Sequence, residues 1–338
     1  MNILLNGVGR IGKSILRIAN SSNSLNITTI NELNTNIENI AYSINYDSTY
    51  GRFEDRFSVV DDTIVNSTSK IKILNYQSLF DIDFKTHNID IVIDASGSIT
   101  DTEELKKLDL NYIFLTHPNK NADANIVLGV NEKEIDLESC KIISTSSCNA
   151  TALLPVLKCI DDNYTIDYGD ITTVHPLLNH QKTLDGGCIG SHDRDVHCNF
   201  EFGRSAVQNI IPSQTTTIEA CSYILSHINS ENISSSSLRV PTATVGAINI
   251  TMSVQKECSK DEVISLLDAY QENQEFDIIY NNTQALVSSD FVAERYTSII
   301  DHRFTEVKKN KMIKLVVWYD NEWGYASKVV DIVGLINK

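Results

Sequence analysis

The 338-residue sequence lacks the features that would place it in a membrane or on a nucleic acid. It has no run of about eighteen apolar residues, which excludes a predicted transmembrane helix. Its 28 Lys and Arg residues are outnumbered by 44 Asp and Glu residues, and the net charge of −16 opposes binding to nucleic acids and anionic lipids. The first residues carry neither a charged segment nor a small-residue cleavage site, so we expect no secretory signal.

Paired cysteine motifs are also missing. The seven Cys residues are odd in number, lie at scattered spacings and include no Cys-x-x-Cys pair. This pattern predicts reduced thiols in a cytoplasmic compartment rather than a disulfide framework. There is no Pro/Gly-rich linker and no internal repeat, and the only low-complexity patch, Ser234 to Ser237, is predicted to be a surface turn. The length is sufficient for two domains with full cores.

A dinucleotide-binding pattern opens the chain. The apolar strand Ile3 to Leu5 leads into the glycine-rich segment from Gly7 to Gly12 and then into a helix. Gly7 allows a tight turn, Gly9 lets a pyrophosphate approach the backbone, and Gly12 lets the helix pack closely on the strand. Glu32 follows a second strand and lies 20 residues after Gly12 (32 − 12 = 20), the distance expected for an acid that binds the adenosine ribose. Its carboxylate would repel a 2′-phosphate, so the pattern predicts NAD rather than NADP.

Strands and helices continue to alternate through the first half of the chain. The predicted elements are a helix over 36–44, a strand over 89–94, a helix over 101–108 and a strand over 112–116. This alternation is typical of a parallel, doubly wound sheet, whose ligands bind at the carboxyl ends of its strands. Ser96 and Gly97 follow one such strand and are predicted to contact the cofactor.

A reactive cysteine is predicted where the next strand meets a helix. The β-branched run Ile142 to Thr145 precedes Cys148 and an apolar helical face, with Asn149 and Thr151 as capping side chains. Pro155 is compatible with the first turns of that helix. A thiol at a helix N-terminus faces unpaired N–H groups and the positive end of the helix dipole, which favour the thiolate. A lone Cys is more often a buried core residue, so the other motifs decide between these interpretations.

The second half of the chain has a different pattern. The strand Asp170 to His175 ends in a histidine, Ser213 to Ile228 is predicted to be an amphipathic helix, and Leu238 to Val254 alternates as antiparallel strands do. The other predicted elements are a polar loop over 177–203, a helix over 260–271, a strand over 312–319 and a closing helix over 323–336. We therefore expect an α/β Rossmann-type domain with a doubly wound parallel sheet, plus an α+β domain with a mostly antiparallel sheet.

Several separate motifs resemble the glyceraldehyde-3-phosphate dehydrogenase superfamily over essentially the whole chain. They are Asn6 to Gly12, Tyr46 to Phe53, Ser147-Cys148, Thr172 to His175, Asn209 to Pro212, Arg239 to Thr242 and Trp318 to Tyr325. Asn31-Glu32 and His117-Pro118 are more similar to the erythrose-4-phosphate dehydrogenase branch. The resemblance implies a homotetramer of two-domain subunits. The NAD-binding domain would cover 1–148, completed by the C-terminal helix 322–338, and the catalytic domain would cover 149–321.

The resemblance also implies a mechanism and a set of site residues. Cys148 would attack an aldehyde, and His175 would pair with the thiolate and take up the proton. Hydride would pass to NAD, and phosphate or water would release the product from a thioester. Arg239 would bind a phosphate group, and Asn321 would hold the nicotinamide carboxamide. The implied cofactor-binding residues are Gly7, Gly9, Arg10, Ile11, Gly12, Glu32, Ser96, Gly97 and Asn321. The implied substrate-binding residues are Ser147, Asn149, Thr215, Thr216 and Arg239, and no metal is implied.

The substrate side departs from the family pattern. Asn149 and Ala150 replace the threonines that follow the nucleophile in phosphorylating members, which puts their role in binding the attacking phosphate in doubt. Leu178 and His180 replace a Thr and an Asp that hold the substrate's own phosphate, and the Leu178 side chain cannot donate a hydrogen bond. Thr216 replaces a Gly of the other anion site.

The loop over 177–203 is longer than usual in the family, by about eight residues, which loops tolerate well. It contains four residues that could bind a metal but fit no zinc spacing, namely Cys188, His192, His197 and Cys198. The loop is therefore interpreted as shaping the substrate pocket or a subunit contact.

These departures leave the substrate open. Glyceraldehyde 3-phosphate is the default, with erythrose 4-phosphate or another aldehyde as alternatives. A nucleotide-binding regulatory protein without catalysis is a second hypothesis, against which Cys148 and His175 argue. An acyl-phosphate reductase such as a semialdehyde dehydrogenase is a third, but such enzymes usually prefer NADP and lack the motif Trp318 to Tyr325.

Overall fold

A computed structural model of the chain describes residues 1–33, 36–99, 101–187 and 200–336. The chain divides into two compact units, Met1–Ser147 with Tyr325–Lys338, and Cys148–Gly324. The predicted domains, 1–148 with 322–338 and 149–321, differ from this division by at most three residues (325 − 322 = 3). Within the described ranges, no helix is long and apolar enough to cross a membrane.

The first unit is built on a sheet of mainly parallel strands. Its strands are β1 (Ile3–Asn6), β2 (Ile27–Asn31), β3 (Tyr46–Asp47), β4 (Gly51–Arg52), β5 (Ser58–Val60), β6 (Thr63–Val65), β7 (Lys70–Leu74), β8 (Ile91–Asp94), β9 (Tyr112–Leu115), β10 (Ala124–Asn125) and β11 (Ile142–Ser144). Its first helices are α1 (Arg10–Ser22), α2 (Ile37–Asn45) and α3 (Thr102–Leu105), with 3₁₀ turns at Leu79–Asp81 and Leu137–Ser139.

The described strands of this sheet number nine, in the order β10-β11-β9-β8-β1-β2-β7-β6-β5. The pairs from β10 to β7 are parallel, whereas β6 pairs antiparallel with both β7 and β5. β3 and β4 form a separate hairpin. The predicted doubly wound parallel sheet is confirmed, with an antiparallel extension at one edge.

The central strands are continuous apolar runs because both of their faces are covered. Every residue of β1 and β8 is buried. α3 is shorter than the predicted helix over 101–108. The Asp101 side chain caps its N-terminus by accepting from the N–H groups of Glu103 and Glu104, but the chain turns away after one helical turn.

The second unit begins with the helix that carries Cys148. Its elements are α4 (Cys148–Tyr164), β12 (Ile166–His175), β13 (Ile211–Ser213), α5 (Thr217–Ser222), β14 (Ile233–Arg239), β15 (Gly246–Val254), α6 (Lys260–Asn273), β16 (Ile279–Asn282), β17 (Ser298–Asp301), β18 (Glu306–Lys308) and β19 (Met312–Tyr319). Single 3₁₀ turns cover Phe200–Gly203, Ser288–Phe291 and His302–Phe304. The closing helix α7 (Trp323–Leu335) starts at the end of this unit and continues as part of the first.

Seven strands of the second unit lie side by side in the part of the chain that the structure describes, in the order β13-β14-β12-β15-β19-β17-β16, and β18 also pairs with β19. Most pairs are antiparallel, but β12–β14 and β16–β17 are parallel. Along β15 buried and half-buried residues alternate, as expected for a strand with one covered face. The predicted mostly antiparallel sheet is confirmed.

Three local predictions for this unit are wrong. Ser234 to Ser237 lies inside β14 rather than in a surface turn, because its backbone pairs along its length with β12 and, at Ser237, also with β13. The helix predicted from Ser213 covers only Thr217–Ser222, since Ile211–Ser213 pairs as a strand. Pro155 lies in the interior of α4, seven residues after its start (155 − 148 = 7), where tight burial of the helix outweighs the missing hydrogen bond.

Candidate active site

The glycine turn between β1 and α1 has the geometry of a dinucleotide site. Gly7 has a φ of +89°, which side-chain-bearing residues rarely adopt, and a Cβ on Gly12 would lie 2.0 Å from the Gly7 carbonyl oxygen. A Cβ on Gly9 would meet no atom within 4 Å, so the backbone there faces open space. Gly7 and Gly12 are thus required by close packing, whereas the room at Gly9 fits the approach of a pyrophosphate.

Glu32 follows the next parallel strand, as predicted. Its carboxylate accepts hydrogen bonds from the backbone N–H groups of Val8, at 2.8 Å, and Leu33, at 2.9 Å. These bonds hold the carboxylate against the glycine turn, where the ribose of an adenosine would lie. The Arg10 side chain forms an ion pair with Asp47, so Arg10 and Ile11 would face a phosphate through the backbone N–H groups of the helix N-terminus.

Ser96 and Gly97 lie beside the same turn. A Cβ on Gly7 would come within 2.9 Å of the Ser96 Cα, and the Ser96 hydroxyl donates to Asp94 at 2.6 Å. Gly97 has a φ of +67°. The structure therefore brings together the predicted cofactor residues of the first unit, and the residues present fit NAD.

In the second unit, the cysteine and histidine predicted to act together are neighbours. Cys148 is the first residue of α4 and His175 is the last residue of β12. The Cys148 Sγ atom lies 3.9 Å from the His175 Nε2 atom. Because β12 and β14 are parallel and His175 is in register with Arg239, the guanidinium group belongs to the same strand ends.

The hydrogen bonds of His175 define the role of each ring nitrogen. The ring is buried, and Nδ1 lies 2.9 Å from the carbonyl oxygen of Pro176. A carbonyl oxygen can only accept, so Nδ1 carries the hydrogen of the neutral ring and Nε2 is left as an acceptor facing the sulfur. Burial and, to a smaller extent, the positive charge of Arg239 lower the pKa of His175 to about 4.

The thiol is not acidic in this structure, contrary to the prediction from the helix N-terminus. Burial raises the pKa of Cys148 to about 11, although Arg239 and the N–H groups of Cys148 and Asn149 act to lower it, while Glu322 adds to the increase. Loss of hydration therefore outweighs the helix terminus. The pair is a neutral thiol beside a neutral imidazole, and Nε2 is placed to accept the thiol proton as the sulfur reacts.

Arg239 is the strongest candidate for holding an anion. Its Nε and Nη1 atoms are buried and have no hydrogen-bond partner among the described residues. The same holds for the Thr242 hydroxyl and the Gln181 side-chain nitrogen, which lie on the segments that follow β14 and β12. A backbone bond of 3.0 Å from the Leu177 N–H to the Thr242 carbonyl joins these segments. Buried donors without partners are expected to bind a ligand's oxygen atoms.

The predicted substrate residue Asn149 does not cap α4. Its amide oxygen accepts from the Tyr319 hydroxyl at 2.6 Å, and its amide nitrogen donates to the Thr217 hydroxyl at 3.0 Å. The Thr215 and Thr217 hydroxyls are 2.6 Å apart, and Thr216 is the N-cap residue of α5 without a side-chain cap bond. These polar groups therefore form one connected network next to Cys148.

Two other predicted residues lie in different units. Ser147, a predicted substrate residue, is the last residue of the segment Met1–Ser147 of the first unit. Asn321 lies in the second unit, where its buried amide oxygen accepts from the Thr244 hydroxyl at 3.1 Å and from the Val245 N–H at 3.2 Å. These bonds orient the Asn321 amide so that its NH₂ group is the remaining donor for a carboxamide.

The substituted substrate residues make other contacts. The Leu178 N–H donates to the Gln181 side-chain oxygen at 2.8 Å, and the His180 ring lies 6.3 Å from the Phe202 ring. The candidate metal ligands Cys188, His192, His197 and Cys198 lie outside the described residues. Elsewhere in the described chain no group of three acidic, His or Cys side chains is arranged to hold a metal.

Tyr319 and Thr217 were not identified from the sequence as site residues. Tyr319 ends a predicted strand and Thr217 starts a helix, and neither position by itself indicates a contact with Asn149. The sequence offered only an indirect indication of these two residues: Tyr319 belongs to the motif Trp318 to Tyr325, and Thr217 lies two residues after the predicted substrate residue Thr215. Only the pairing of the strands brings them to the cysteine.

The glycine turn on a parallel sheet and the Cys–His–Arg set of the second unit define an NAD-dependent oxidoreductase. Residues 1–102 match the profile described as glyceraldehyde 3-phosphate dehydrogenase, NAD binding domain. Residues 147–321 match the profile described as glyceraldehyde 3-phosphate dehydrogenase, C-terminal domain. The chain belongs to the glyceraldehyde-3-phosphate dehydrogenase family, and its cofactor is NAD.

Several curated relatives are similar over nearly the whole chain. Glyceraldehyde-3-phosphate dehydrogenase 2 of Staphylococcus aureus (strain MRSA252) is 33% identical over 341 residues, covering 98% of this chain and 94% of its own. Glyceraldehyde-3-phosphate dehydrogenase of Eremothecium gossypii is 32% identical, with 98% of both chains covered. Glyceraldehyde-3-phosphate dehydrogenase 2 of Bacillus subtilis (strain 168) is 29% identical, covering 98% of this chain and 96% of its own.

Proposed function

We propose that this chain oxidises glyceraldehyde 3-phosphate through a thioester on Cys148. The observation that carries the proposal is the 3.9 Å contact between the Cys148 sulfur and the unprotonated Nε2 of His175, with Arg239 in register beside it. The names of the relatives and the family support the default substrate.

The chemistry follows from the protonation states of the pair. As the sulfur attacks the aldehyde carbon, Nε2 accepts the thiol proton, and the new oxyanion takes that proton to give a thiohemiacetal. In the next step Nε2 takes the hydroxyl proton while the carbon loses hydride and becomes a thioester. NAD, when bound, accepts the hydride. Phosphate or water then attacks the thioester carbon and the carbon–sulfur bond breaks, which releases an acyl phosphate or a carboxylic acid. The Cys148 thiolate that leaves takes a proton back from Nε2, and the proton of the attacking group is released to solvent.

The buried donors of the second unit fit a phosphorylated aldehyde. Arg239 supplies a positive charge, and Thr242 and Gln181 supply neutral groups without partners among the described residues. The network of Asn149, Thr215 and Thr217 offers a second set of polar groups, which we assign to the attacking phosphate or water. In the family pattern a threonine directly after the nucleophile helps to bind the attacking phosphate, and here Asn149 replaces it. We assign that role to the Thr215 and Thr217 hydroxyls instead.

Erythrose 4-phosphate is the second candidate substrate. Leu178 presents an apolar side chain where the family pattern has a hydroxyl, and its N–H is already bonded to Gln181. A pocket with fewer donors at that point would tolerate an anionic group in a different position, as a substrate longer by one carbon requires. Oxidation of erythrose 4-phosphate would use Cys148 and His175 in the same way.

The assignment extends to domains and assembly. We assign residues 1–148 with 322–338 to NAD binding and residues 149–321 to catalysis. We also assign a homotetramer located in the cytoplasm. The half-buried face of β15 supports subunit contacts on that sheet, and the five described cysteines, all free, support a reducing compartment. Light scattering after gel filtration should give the mass of four chains.

The test is an assay of NADH formation by the purified protein with both sugar phosphates and unphosphorylated aldehydes, with and without phosphate. We expect turnover of glyceraldehyde 3-phosphate that is lost in Cys148→Ser and kept in the control Cys140→Ser, whose sulfur donates to the Asp136 carbonyl oxygen at 3.4 Å. Turnover of erythrose 4-phosphate alone would favour the second candidate. NAD binding without turnover of any aldehyde would contradict the proposal and favour a regulatory protein.

A further inference from the structure

Three adjacent strand ends of the first unit carry buried polar atoms that make no hydrogen bond. They are the Oδ2 atom of Asp94 at the end of β8, both ring nitrogens of His117 after β9, and the hydroxyl of Ser146 after β11. The Ile99 backbone lies close enough to the His117 ring to raise its pKa, but none of these atoms forms a hydrogen bond of ordinary geometry with the described residues. The Asp94 and Ser146 side chains are fully buried. Buried polar groups in native proteins are nearly always paired, so such a cluster indicates that a ligand supplies the missing partners.

The backbone around His117 is held firmly on both sides. The Thr116 hydroxyl donates to the Asp94 carbonyl at 2.9 Å, which ties the segment to β8. The Ser144 hydroxyl donates to the His117 carbonyl at 2.8 Å, which ties it to β11. The Ser146 N–H in turn donates to the Ser144 hydroxyl at 3.1 Å. The backbone that carries His117 is therefore held on both sides, while the ring nitrogens form no hydrogen bond of ordinary geometry with the described residues.

The position of these strand ends in the sheet indicates which part of the cofactor they face. Glu32 follows β2, on one side of β1, whereas β8, β9 and β11 lie on the other side. In doubly wound sheets each half of the sheet binds one nucleotide, and the ligand lies at the carboxyl ends of the strands. Because Glu32 is in the half that holds the adenosine ribose, the half with His117 faces the second nucleoside.

We propose that His117 is a positioning residue for NAD that hydrogen-bonds the hydroxyl or amide groups of the nicotinamide nucleoside. A neutral imidazole offers one donor and one acceptor, which matches both a ribose hydroxyl and a carboxamide. Burial lowers the pKa of His117, and the Asp94 carboxylate and the Ile99 backbone oppose this effect. The lowered pKa keeps the imidazole of His117 uncharged near neutral pH, so the imidazole does not repel the positively charged nicotinamide ring of NAD.

The experiment measures binding rather than turnover. NADH is titrated by fluorescence into the wild type, His117→Ala, His117→Asn and the control His87→Ala, which lies before β8 at the opposite end of that strand. Binding of ADP, which lacks the second nucleoside, is measured by competition. We expect His117→Ala to raise the dissociation constant for NADH by about three- to tenfold, the loss expected for one neutral hydrogen bond.

The accompanying results separate positioning from a structural role. ADP affinity should stay within about twofold of the wild type in every variant, and His117→Asn, which keeps one donor and one acceptor, should recover most of the NADH affinity. Unchanged NADH binding in His117→Ala, or an equal loss for NADH and ADP, would overturn the proposal. If His117→Ala does not fold, His117→Met fills the same space without ring nitrogens and is judged by the same outcomes. Since no aldehyde is present, the result is independent of the proposed substrate.

Discussion

The charge of Arg239 should tune the nucleophile as well as hold an anion. Arg239 lowers the pKa of Cys148 and of His175, and the thiol pKa is nevertheless raised to about 11 because burial outweighs this charge. A nearby opposite charge shifts a pKa by about 1–3 units, and we take the lower end because burial, and not Arg239, has the largest effect on this pKa. Replacing Arg239 by the neutral Met should therefore raise the pKa of the thiol by about one unit, or about 1.4 kcal/mol.

The sign of the effect on reactivity follows from the thiolate being the reactive form. A higher thiol pKa means less thiolate at a given pH, so Arg239→Met should slow alkylation of Cys148 by about tenfold on the rising part of the pH profile. The profile should move by about one unit to higher pH. Arg239→Lys keeps the charge and should stay within about twofold of the wild type.

The assay is the rate of alkylation by iodoacetamide, an uncharged reagent, followed by mass spectrometry of the peptide that contains Cys148. Removing Arg239 also raises the pKa of His175, so the comparison is repeated in His175→Asn, where the thiol titrates without its neighbour. Superimposable profiles for the wild type and Arg239→Met would refute the reasoning. Equal slowing in Arg239→Lys and Arg239→Met would assign the effect to geometry instead of charge.

Two further predictions concern the packing of the sites. Gly12→Ala places a Cβ 2.0 Å from the Gly7 carbonyl oxygen and should lower the free energy of unfolding by about 3 kcal/mol. The Cβ of Gly9→Ala meets no atom within 4 Å, so this variant should lose less than about 1 kcal/mol of stability but bind NAD at least about tenfold more weakly. Urea unfolding and NADH titration measure the two effects, and equal unfolding free energies for the two variants would contradict the prediction. Tyr319→Phe removes the 2.6 Å hydrogen bond to Asn149 and should lower the free energy of unfolding by about 1 kcal/mol, while the exposed control Tyr168→Phe should leave it unchanged; a loss of similar size in both variants would count against this bond.

Local patterns were sufficient for much of the fold. The apolar run that forms β8 and the two-residue alternation along β15 both report burial of the strand faces, and the strand predicted over 312–319 coincides with β19. The predictions failed where a distant partner decided the outcome. Ser234 to Ser237 forms a strand because β12, which is distant in the sequence, pairs with its backbone.

In the candidate site, too, residues in local patterns were predicted and residues brought together by distant contacts were not. The glycine spacing, Glu32 and the pair Cys148 and His175 were recognisable because each belongs to a short segment with a specific residue pattern. The network of Tyr319, Asn149 and Thr217 was not, because its members are far apart in the chain. Neither was the cluster around His117, since a sequence does not show which buried polar atoms lack a partner.

The sequence by itself determined the cofactor and predicted the reacting sulfur and the histidine beside it, because these depend on residue types at short, regular spacings. The tertiary structure decided how acidic that sulfur is and which groups surround it. Burial, which raises the pKa of Cys148, and the charge of Arg239, which lowers it, both depend on packing between distant strands, and no local pattern encodes their balance.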